Sequence, residues 1–309
     1  MPDPQPTDAL AQLFQMKPPE TVEDMRQLLD GFAGLMNADL PEVGAFHEAV
    51  PVGAFSADVI VPQGDGPHPV LVYLHGGGWV CGSPRTHKKL AHRFAEAGHL
   101  VVNVDYRMAP EHPFPTPFDD CVEAVHWAAK EAASYGGDPS RMAIGGDSAG
   151  GNLSAAVAAA LADDPAGPSI RAALLIYGVF DFATMAAEPP PEMAAMAQAM
   201  PDGLGEKLVE MMVGSYLGSE RSDALLRDPR ISPVHVAAKL PPTHVVCGTA
   251  DPLVAQARAL KAELETAGVE HEYFEDEGMP HGYAQMEFLP ATRPAIDRMI
   301  RFLEMRLGG

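Results

Sequence analysis

The chain has 309 residues, of which 47% are hydrophobic, enough for one large domain or one domain with an inserted subdomain. Its 21 Lys and Arg against 42 Asp and Glu give a formal net charge of -21, which argues against nucleic acid and anionic membrane surfaces as partners. Three cysteines are too few for a disulfide framework, and neither a signal-peptide pattern nor a membrane-length apolar run occurs. We therefore predict a cytoplasmic protein without membrane insertion.

The first 45 residues predict two helices, over residues 7–16 and 21–36, because Thr21 followed by Asp24 is typical of a helix start. No strand precedes these helices, so we expect them to form part of a cap. Residues 46–61 alternate apolar and polar side chains, which predicts two antiparallel edge strands joined near Pro51.

After that, buried strands alternate with helices. Short apolar runs cover residues 69–74, 100–105, 142–144, 170–177 and 243–247, and helix-length segments cover 86–97, 118–133, 149–162 and 254–267. This alternation predicts an α/β fold with a mainly parallel central sheet and helices on both faces.

Residues 181–230 interrupt this alternation, since they are rich in Pro and Met and contain no strand-like run. We interpret them as a helical insertion that completes the cap. The predicted organisation is an N-terminal cap over 1–45, a first core segment over 46–180, the cap insertion over 181–230 and a second core segment over 231–309.

A candidate nucleophile follows the strand at 142–144. Gly146-Asp147-Ser148-Ala149-Gly150 lies between that strand and a buried helix, which is typical of a serine held on a sharp strand-to-helix turn. The residues two before and two after such a serine must lack bulk. The pattern alone is weak, so the assignment of Ser148 depends on residues elsewhere in the chain.

A glycine-rich loop follows the strand at 69–74, with the sequence His75-Gly76-Gly77-Gly78-Trp79. Consecutive glycines let backbone N–H groups approach a substrate oxygen, as in an oxyanion hole. A phosphate-binding loop and a plain turn are the alternatives, and the Gly-Lys-Ser/Thr ending of a phosphate-binding loop is missing.

Two further candidates follow later strands. Asp251 comes after the strand at 243–247, and His281 lies in a loop flanked by glycines after the last strand, near 270–274. The chain order Ser148, Asp251, His281 is that of the α/β hydrolases. His281 would exchange the proton with Ser148, and Asp251 would orient the imidazole. Asp181 and Asp276 are the rival acids.

Other reactive side chains are interpreted as structural. Cys81 lies near the glycine-rich loop, but no His stands at a diagnostic spacing from it, so we expect a buried packing thiol. His87, His92 and His99 form no known metal-binding pattern, so we expect them on a solvated helix face and predict no metal site.

Five stretches in order resemble the motifs of the bacterial hormone-sensitive-lipase-like esterases, at residues 75–79, 106–115, 146–153, 251–253 and 281–283. The resemblance implies an α/β-hydrolase fold with a helical cap, no cofactor, and hydrolysis of small esters with short to medium acyl groups. It also implies that Gly77, Gly78 and Ala149 donate the oxyanion-hole N–H groups. His75 and Gly76 would shape that loop, and Glu111 would tie down the loop beside it.

The chain departs from the family pattern at Ala255-Gln256, at Pro280 and at Gly282-Tyr283, and its cap matches least. A hydrolase of amides, carbamates or N-formyl groups, and a non-catalytic receptor on the same fold, remain the alternatives. The insertion holds six of the 16 methionines, which favours either a pliable acyl pocket or ordinary core filling. These six methionines are Met185, Met193, Met196, Met200, Met211 and Met212. The sequence leaves open whether the protein forms a homodimer.

Overall fold

The computed structural model describes residues 18–165, 167–187, 204–219 and 221–308. The predicted helix over 7–16 and three of the insertion's methionines, Met193, Met196 and Met200, lie outside the described residues. The predicted helix over 21–36 is present as Val22–Met36 (α1). Thr21 caps it, with its hydroxyl accepting the N–H of Asp24 while the Asp24 carboxylate accepts the N–H of Thr21.

Eight strands form one sheet in the order β1-β2-β4-β3-β5-β6-β7-β8. All neighbours from β4 to β8 are parallel, whereas β1–β2 and β2–β4 are antiparallel. The strands are Ala45–Val52 (β1), Phe55–Val61 (β2), His68–Leu74 (β3), Leu100–Asp105 (β4), Gly137–Asp147 (β5), Ile170–Ile176 (β6), Thr243–Gly248 (β7) and His271–Asp276 (β8).

The prediction of a mainly parallel sheet is confirmed, but one detail of the N-terminal pair is wrong. Only β1 lies at the edge, because β2 pairs with β4 on its other side. The difference has a physical reason. Ala57 and Val59 are fully buried on one face of β2, and Ile60 is fully buried on the other face. Burial on both faces suits a strand inside the sheet and is not required of an edge strand.

The helices after α1 are Lys88–Glu96 (α2), Thr116–Glu131 (α3), Ala149–Ala162 (α4), Phe182–Ala187 (α5), Leu204–Leu217 (α6), Asp223–Leu226 (α7), Val254–Ala267 (α8) and Thr292–Leu307 (α9). The connection from β3 through α2 to β4 runs in the opposite direction along the sheet from the connections through α3, α4 and α8. Because such crossovers are right-handed, α2 covers one face of the sheet and α3, α4 and α8 cover the other.

Helix α4 is buried along almost its whole length, from Ala149 to Leu161, because it packs on β5, β6 and α3 at the centre of the molecule. Its Ala-rich sequence suits this place, since small side chains let a helix lie close to its neighbours on every side. Because α4 follows directly after β5, its start lies at the carboxyl ends of the parallel strands, where ligands bind in open α/β sheets.

Between residues 181 and 230, the described part of the insertion contains the helices α5, α6 and α7 and no strand. The cap boundaries at 1–45 and 181–230 stay a prediction. In the described parts of the chain, no helix has the length and apolar character needed to cross a membrane.

Candidate active site

Ser148 occupies the sharp turn between the end of β5 and the start of α4. Its backbone has φ 53° and ψ -118°, a left-handed conformation that costs a residue with a side chain about 1–3 kcal/mol. The N–H of Ser148 donates to the carbonyl of Ile176, at the end of β6, at 2.9 Å. The turn lifts the hydroxyl beyond the strand ends, where the first N–H groups of α4 carry the positive end of the helix dipole.

The two glycines that flank Ser148 allow this turn to lie against the strand next to it. A Cβ built on Gly146 would overlap the carbonyl of Leu74 and lie 2.6 Å from the carbonyl carbon of Gly150. A Cβ on Gly150 would overlap the same carbonyl of Leu74. Without backbone movement both positions admit only glycine, which is the steric reason for this spacing around the serine.

His281 reaches Ser148 from the loop after β8. Its Nε2 lies 2.9 Å from Ser148 Oγ, and its Nδ1 lies 2.9 Å from Oδ2 of Asp251, in the loop after β7. Asp251 is fully buried, and its Oδ1 accepts the N–H of Leu253 at 2.8 Å. Because an ionised carboxylate only accepts hydrogen bonds, Nδ1 of His281 carries the proton and Nε2 is left to accept the serine proton.

The surroundings of His281 favour its protonated form. Burial lowers the pKa of His281, but the charge of Asp251, its hydrogen bond and the charge of Asp147 together outweigh this, so the pKa is raised above its usual range. About a third of the side chain stays exposed, at 33%, so a substrate or water can reach the ring. The arrangement suits a base that must hold a proton during a reaction.

The two rival acids are engaged elsewhere. Asp276 accepts the hydroxyl of Tyr283 and the guanidinium of Arg298, which holds the carboxylate toward α9. Asp181 accepts the N–H of Ala183, and its nearest imidazole is His235, at 3.8 Å. Of the three aspartates considered, the structure brings Asp251 to His281.

The glycine-rich loop after β3 carries backbone N–H groups that have no partner among the described residues. Gly77 has φ 127°, and a Cβ there would overlap the carbonyl of Cys81, so only glycine fits. The carbonyl of Gly77 accepts the N–H groups of Val80 and Cys81, at 3.1 and 3.0 Å, and is thereby fixed. Within the described residues, the N–H groups of Gly77, Gly78 and Ala149 donate to no other group, which leaves them available to an anionic oxygen.

A family model described as the alpha/beta hydrolase fold matches residues 71–285, which is more than half of the chain. The chain belongs to the α/β-hydrolase fold family.

Several carboxylesterases are similar to this hydrolase. Carboxylesterase NlhH of Mycobacterium tuberculosis is 35% identical over 306 residues, covering 97% of this chain and 89% of that protein. An ethyl acetate hydrolase of Pseudomonas putida is 34% identical over 70% of this chain and 66% of its own length. The solved structure of an esterase from the bacterial hormone-sensitive lipase family is 32% identical, with a TM-score of 0.81 over 97% of this chain and 96% of that one. The resemblance predicted from the five motifs is confirmed, and the chain is a carboxylesterase of this fold.

In this hydrolase a buried carboxylate joins the serine turn to the glycine-rich loop. Asp147 Oδ1 accepts the N–H of Gly76 at 3.0 Å and the hydroxyl of Tyr73 at 2.8 Å, while Oδ2 lies 3.3 Å from Nε2 of His87. Burial raises the pKa of Asp147, but the charge of His87 and the hydrogen bonds of His87 and Tyr73 outweigh burial and lower the pKa. Sequence reasoning missed this role, because nothing in the spacing of Asp147, Tyr73 and His87 reveals that they meet.

His75 lies beneath the same loop as a neutral ring. Burial, followed by the charge of His87, lowers the pKa of His75 to about 3. Because a carbonyl oxygen can only accept, its Nδ1 donates to the carbonyl of Gly76 at 2.9 Å, and its ring stacks on Tyr106 with centroids 4.3 Å apart. The Tyr106 hydroxyl donates to the carbonyl of His75 at 2.8 Å. These contacts are what loop support by His75 and Gly76 would require, and that role stays a prediction.

The end of the loop is held by α1. Arg26 donates to the carbonyl of Val80 at 2.8 Å, to the carbonyl of Ala109 at 3.0 Å and to both carboxylate oxygens of Glu111. These contacts are what the anchoring of the loop over 106–115 by Glu111 would require, and that role stays a prediction. Sequence reasoning did not single out Arg26, since one arginine in a predicted surface helix carries no signal of its own.

The interpretation of Cys81 as a buried thiol agrees with the structure. Its side chain is 4% exposed and donates to the carbonyl of Gly77 at 3.1 Å. Burial raises the pKa of Cys81 to about 12, so the thiolate that a nucleophile needs is strongly disfavoured.

The expectation that His87, His92 and His99 lie on a solvated helix face is wrong, because all three are buried. Each imidazole has a polar partner that makes burial tolerable: Nδ1 of His92 pairs with the carbonyl of Pro41, and Nδ1 of His99 pairs with that of Phe94. Over the described ranges, no three His, Cys, Asp or Glu side chains come together as metal ligands.

Proposed function

We propose that this carboxylesterase hydrolyses its ester through Ser148, His281 and Asp251, with a covalent acyl-enzyme. The observation that carries the proposal is the pair of hydrogen bonds of His281, with Nε2 2.9 Å from Ser148 Oγ and Nδ1 2.9 Å from Asp251. These are the distances at which a base takes a proton from a nucleophile while a third group orients the base.

In the first half-reaction, Ser148 Oγ bonds to the acyl carbon and its proton passes to Nε2 of His281. The carbonyl oxygen becomes an oxyanion, which the N–H groups of Gly77, Gly78 and Ala149 bind. The ester C–O bond then breaks, and the proton on Nε2 passes to the leaving alcohol. Water repeats the sequence on the acyl-enzyme, with His281 as base, and releases the carboxylic acid and the free serine.

Short to medium acyl esters are the proposed substrates. The relative from Pseudomonas putida is named for a two-carbon acyl ester. In this chain, Met212 of α6 lies directly on the glycine-rich loop, with its Cγ 2.9 Å from the place where a Cβ of Gly78 would be. A flexible thioether beside the oxyanion donors supports a pocket that adapts to several short chains. A sharp optimum at one acyl length, unchanged in Met212→Leu, would argue for ordinary core filling instead.

The test is hydrolysis of p-nitrophenyl butyrate by the purified protein beside Ser148→Ala of matched circular dichroism. Turnover by the first and none by the second is expected. p-Nitrophenyl acetate and octanoate define the acyl range, and butyryl p-nitroanilide tests the amidase alternative with a leaving group that differs from p-nitrophenol only in its nitrogen atom. Inert esters and amides in both proteins would contradict the proposal and favour the non-catalytic receptor.

A further inference from the structure

Tyr177, the residue directly after β6, has a backbone conformation that bulky residues rarely adopt. Its φ is 37°, and its N–H donates to the carbonyl of Val246 on β7 at 2.7 Å. The residue before it, Ile176, accepts the N–H of Ser148. Strain of this kind persists only where the surroundings enforce it, and it clusters at functional sites.

The strained backbone directs the Tyr177 ring to the catalytic loop. The fully buried ring lies with its centroid 5.0 Å from that of His281, and the two planes make an angle of 60°. It also contacts Tyr283, with centroids 5.7 Å apart, and the Tyr283 hydroxyl is held by Asp276. Since His281 and Tyr283 belong to one loop, the Tyr177 ring supports that loop at two points.

We propose that Tyr177 is a positioning residue for His281, an inference that rests on the proposed function. Two consecutive residues then fix both partners of the proton transfer: Ile176 holds the backbone of Ser148, and the Tyr177 ring sets the plane of the imidazole. This placement of the imidazole acts in acylation and in deacylation, because each step passes a proton through His281.

The ring, and not the hydroxyl, carries this role. The Tyr177 hydroxyl lies near the backbone of Ala284 but makes no hydrogen bond of normal geometry with any residue that the structure describes. Replacement by phenylalanine keeps the ring contacts and removes only this group. Tyr177→Phe should therefore behave as the unchanged enzyme, whereas loss of the ring should impair turnover.

The experiment compares Tyr177→Leu and Tyr177→Phe in the hydrolysis of p-nitrophenyl butyrate, with kcat and KM measured separately. Because small misplacements of a reacting group are costly, kcat of Tyr177→Leu should fall by about 10- to 100-fold while KM changes by less than about 3-fold. Tyr177→Phe should keep kcat within about 2-fold. The matched control is Tyr135→Leu, which removes a ring that packs on His47 and Trp127.

Three results would overturn the inference: unchanged kcat in Tyr177→Leu, an effect on KM alone, or equal damage in Tyr177→Phe. If the leucine variant does not fold, Tyr177→Asn replaces it, because Asn accepts a positive φ without the ring. Normal kcat in that variant would equally overturn the inference. An active Ser148→Ala would instead overturn the proposed function, so the two failures are distinguishable.

Discussion

His99, directly before β4, makes the stability of this protein sensitive to acid. Its side chain is 1% exposed, its Nδ1 donates to the carbonyl of Phe94 at 3.2 Å, and its Nε2 is buried with no partner among the described residues. Burial, and to a lesser extent the charge of Arg141, lowers the pKa of His99 to about 4. In the unfolded chain His99 therefore binds a proton as the pH falls through about 6.5, whereas in the folded chain it binds that proton only near pH 4.

The magnitude follows from these two pKa values. The contribution of neutral His99 is fully present above pH 6.5 and is lost as the pH falls toward 4, by about 1.4 kcal/mol per unit of pH. Between pH 7.5 and pH 5 the folded state should lose about 2 kcal/mol on account of His99 alone. His99→Leu removes the titration, and the carbonyl of Phe94 still accepts the backbone N–H of His99.

The assay is urea unfolding of the unchanged protein and His99→Leu at pH 7.5 and pH 5, with the exposed His126→Gln as the control. The difference in unfolding free energy between His99→Leu and the unchanged protein should shift by about 2 kcal/mol in favour of the variant at pH 5. We expect no comparable shift in unfolding free energy for His126→Gln. Equal differences at pH 7.5 and pH 5 would show that His99 does not make folding sensitive to acid.

Three further predictions concern the site. Gly77→Ala should lower kcat by about 10²- to 10³-fold while the circular dichroism spectrum stays normal. The reason is that the new Cβ would overlap the carbonyl of Cys81 and displace the proposed oxyanion donor. A near-normal kcat would contradict this prediction. Asp251→Asn should lower kcat at pH 7 by about 10⁴-fold, because an amide no longer enforces the proton on Nδ1 of His281; a loss under 10-fold would contradict it. Arg26→Gln should lower the unfolding free energy by about 1 kcal/mol in urea. It leaves two part-buried carbonyls without their donor, while the exposed pair with Glu111 contributes little. Gln27→Ala is the control on the same helix, and equal stability of the two variants would contradict the prediction.

The order of strands and helices was accessible from the sequence because its physical signals are local. The strand Leu100–Asp105 and the helices Ala149–Ala162 and Val254–Ala267 have the predicted bounds. Continuous apolar runs mark buried parallel strands, and Thr21 with Asp24 marks a helix start through contacts within four residues. The misplaced edge at β2 has the opposite cause, since pairing with β4 depends on residues far along the chain.

In the candidate site, too, the sequence predicts residues in local motifs but not contacts between distant segments. Ser148, Asp251 and His281 could be proposed because each follows a strand and their order matches a known arrangement, and the structure brings the three side chains together. The contacts that hold these residues in place could not be predicted. Asp147, Arg26 and Tyr177 each contact residues in distant segments of the chain. The burial of His87, His92 and His99 was misjudged for this reason too, since each has a partner that the local pattern does not show.

The most direct test of Ser148 as the nucleophile is covalent trapping with diethyl p-nitrophenyl phosphate, followed by intact-protein and peptide mass spectrometry. Ser148 Oγ should bond to phosphorus as p-nitrophenolate leaves, with the serine proton taken by His281. We expect one diethylphosphoryl group per chain, located on Ser148, and none on Ser148→Ala. A label on another residue, or equal labelling of Ser148→Ala, would contradict it.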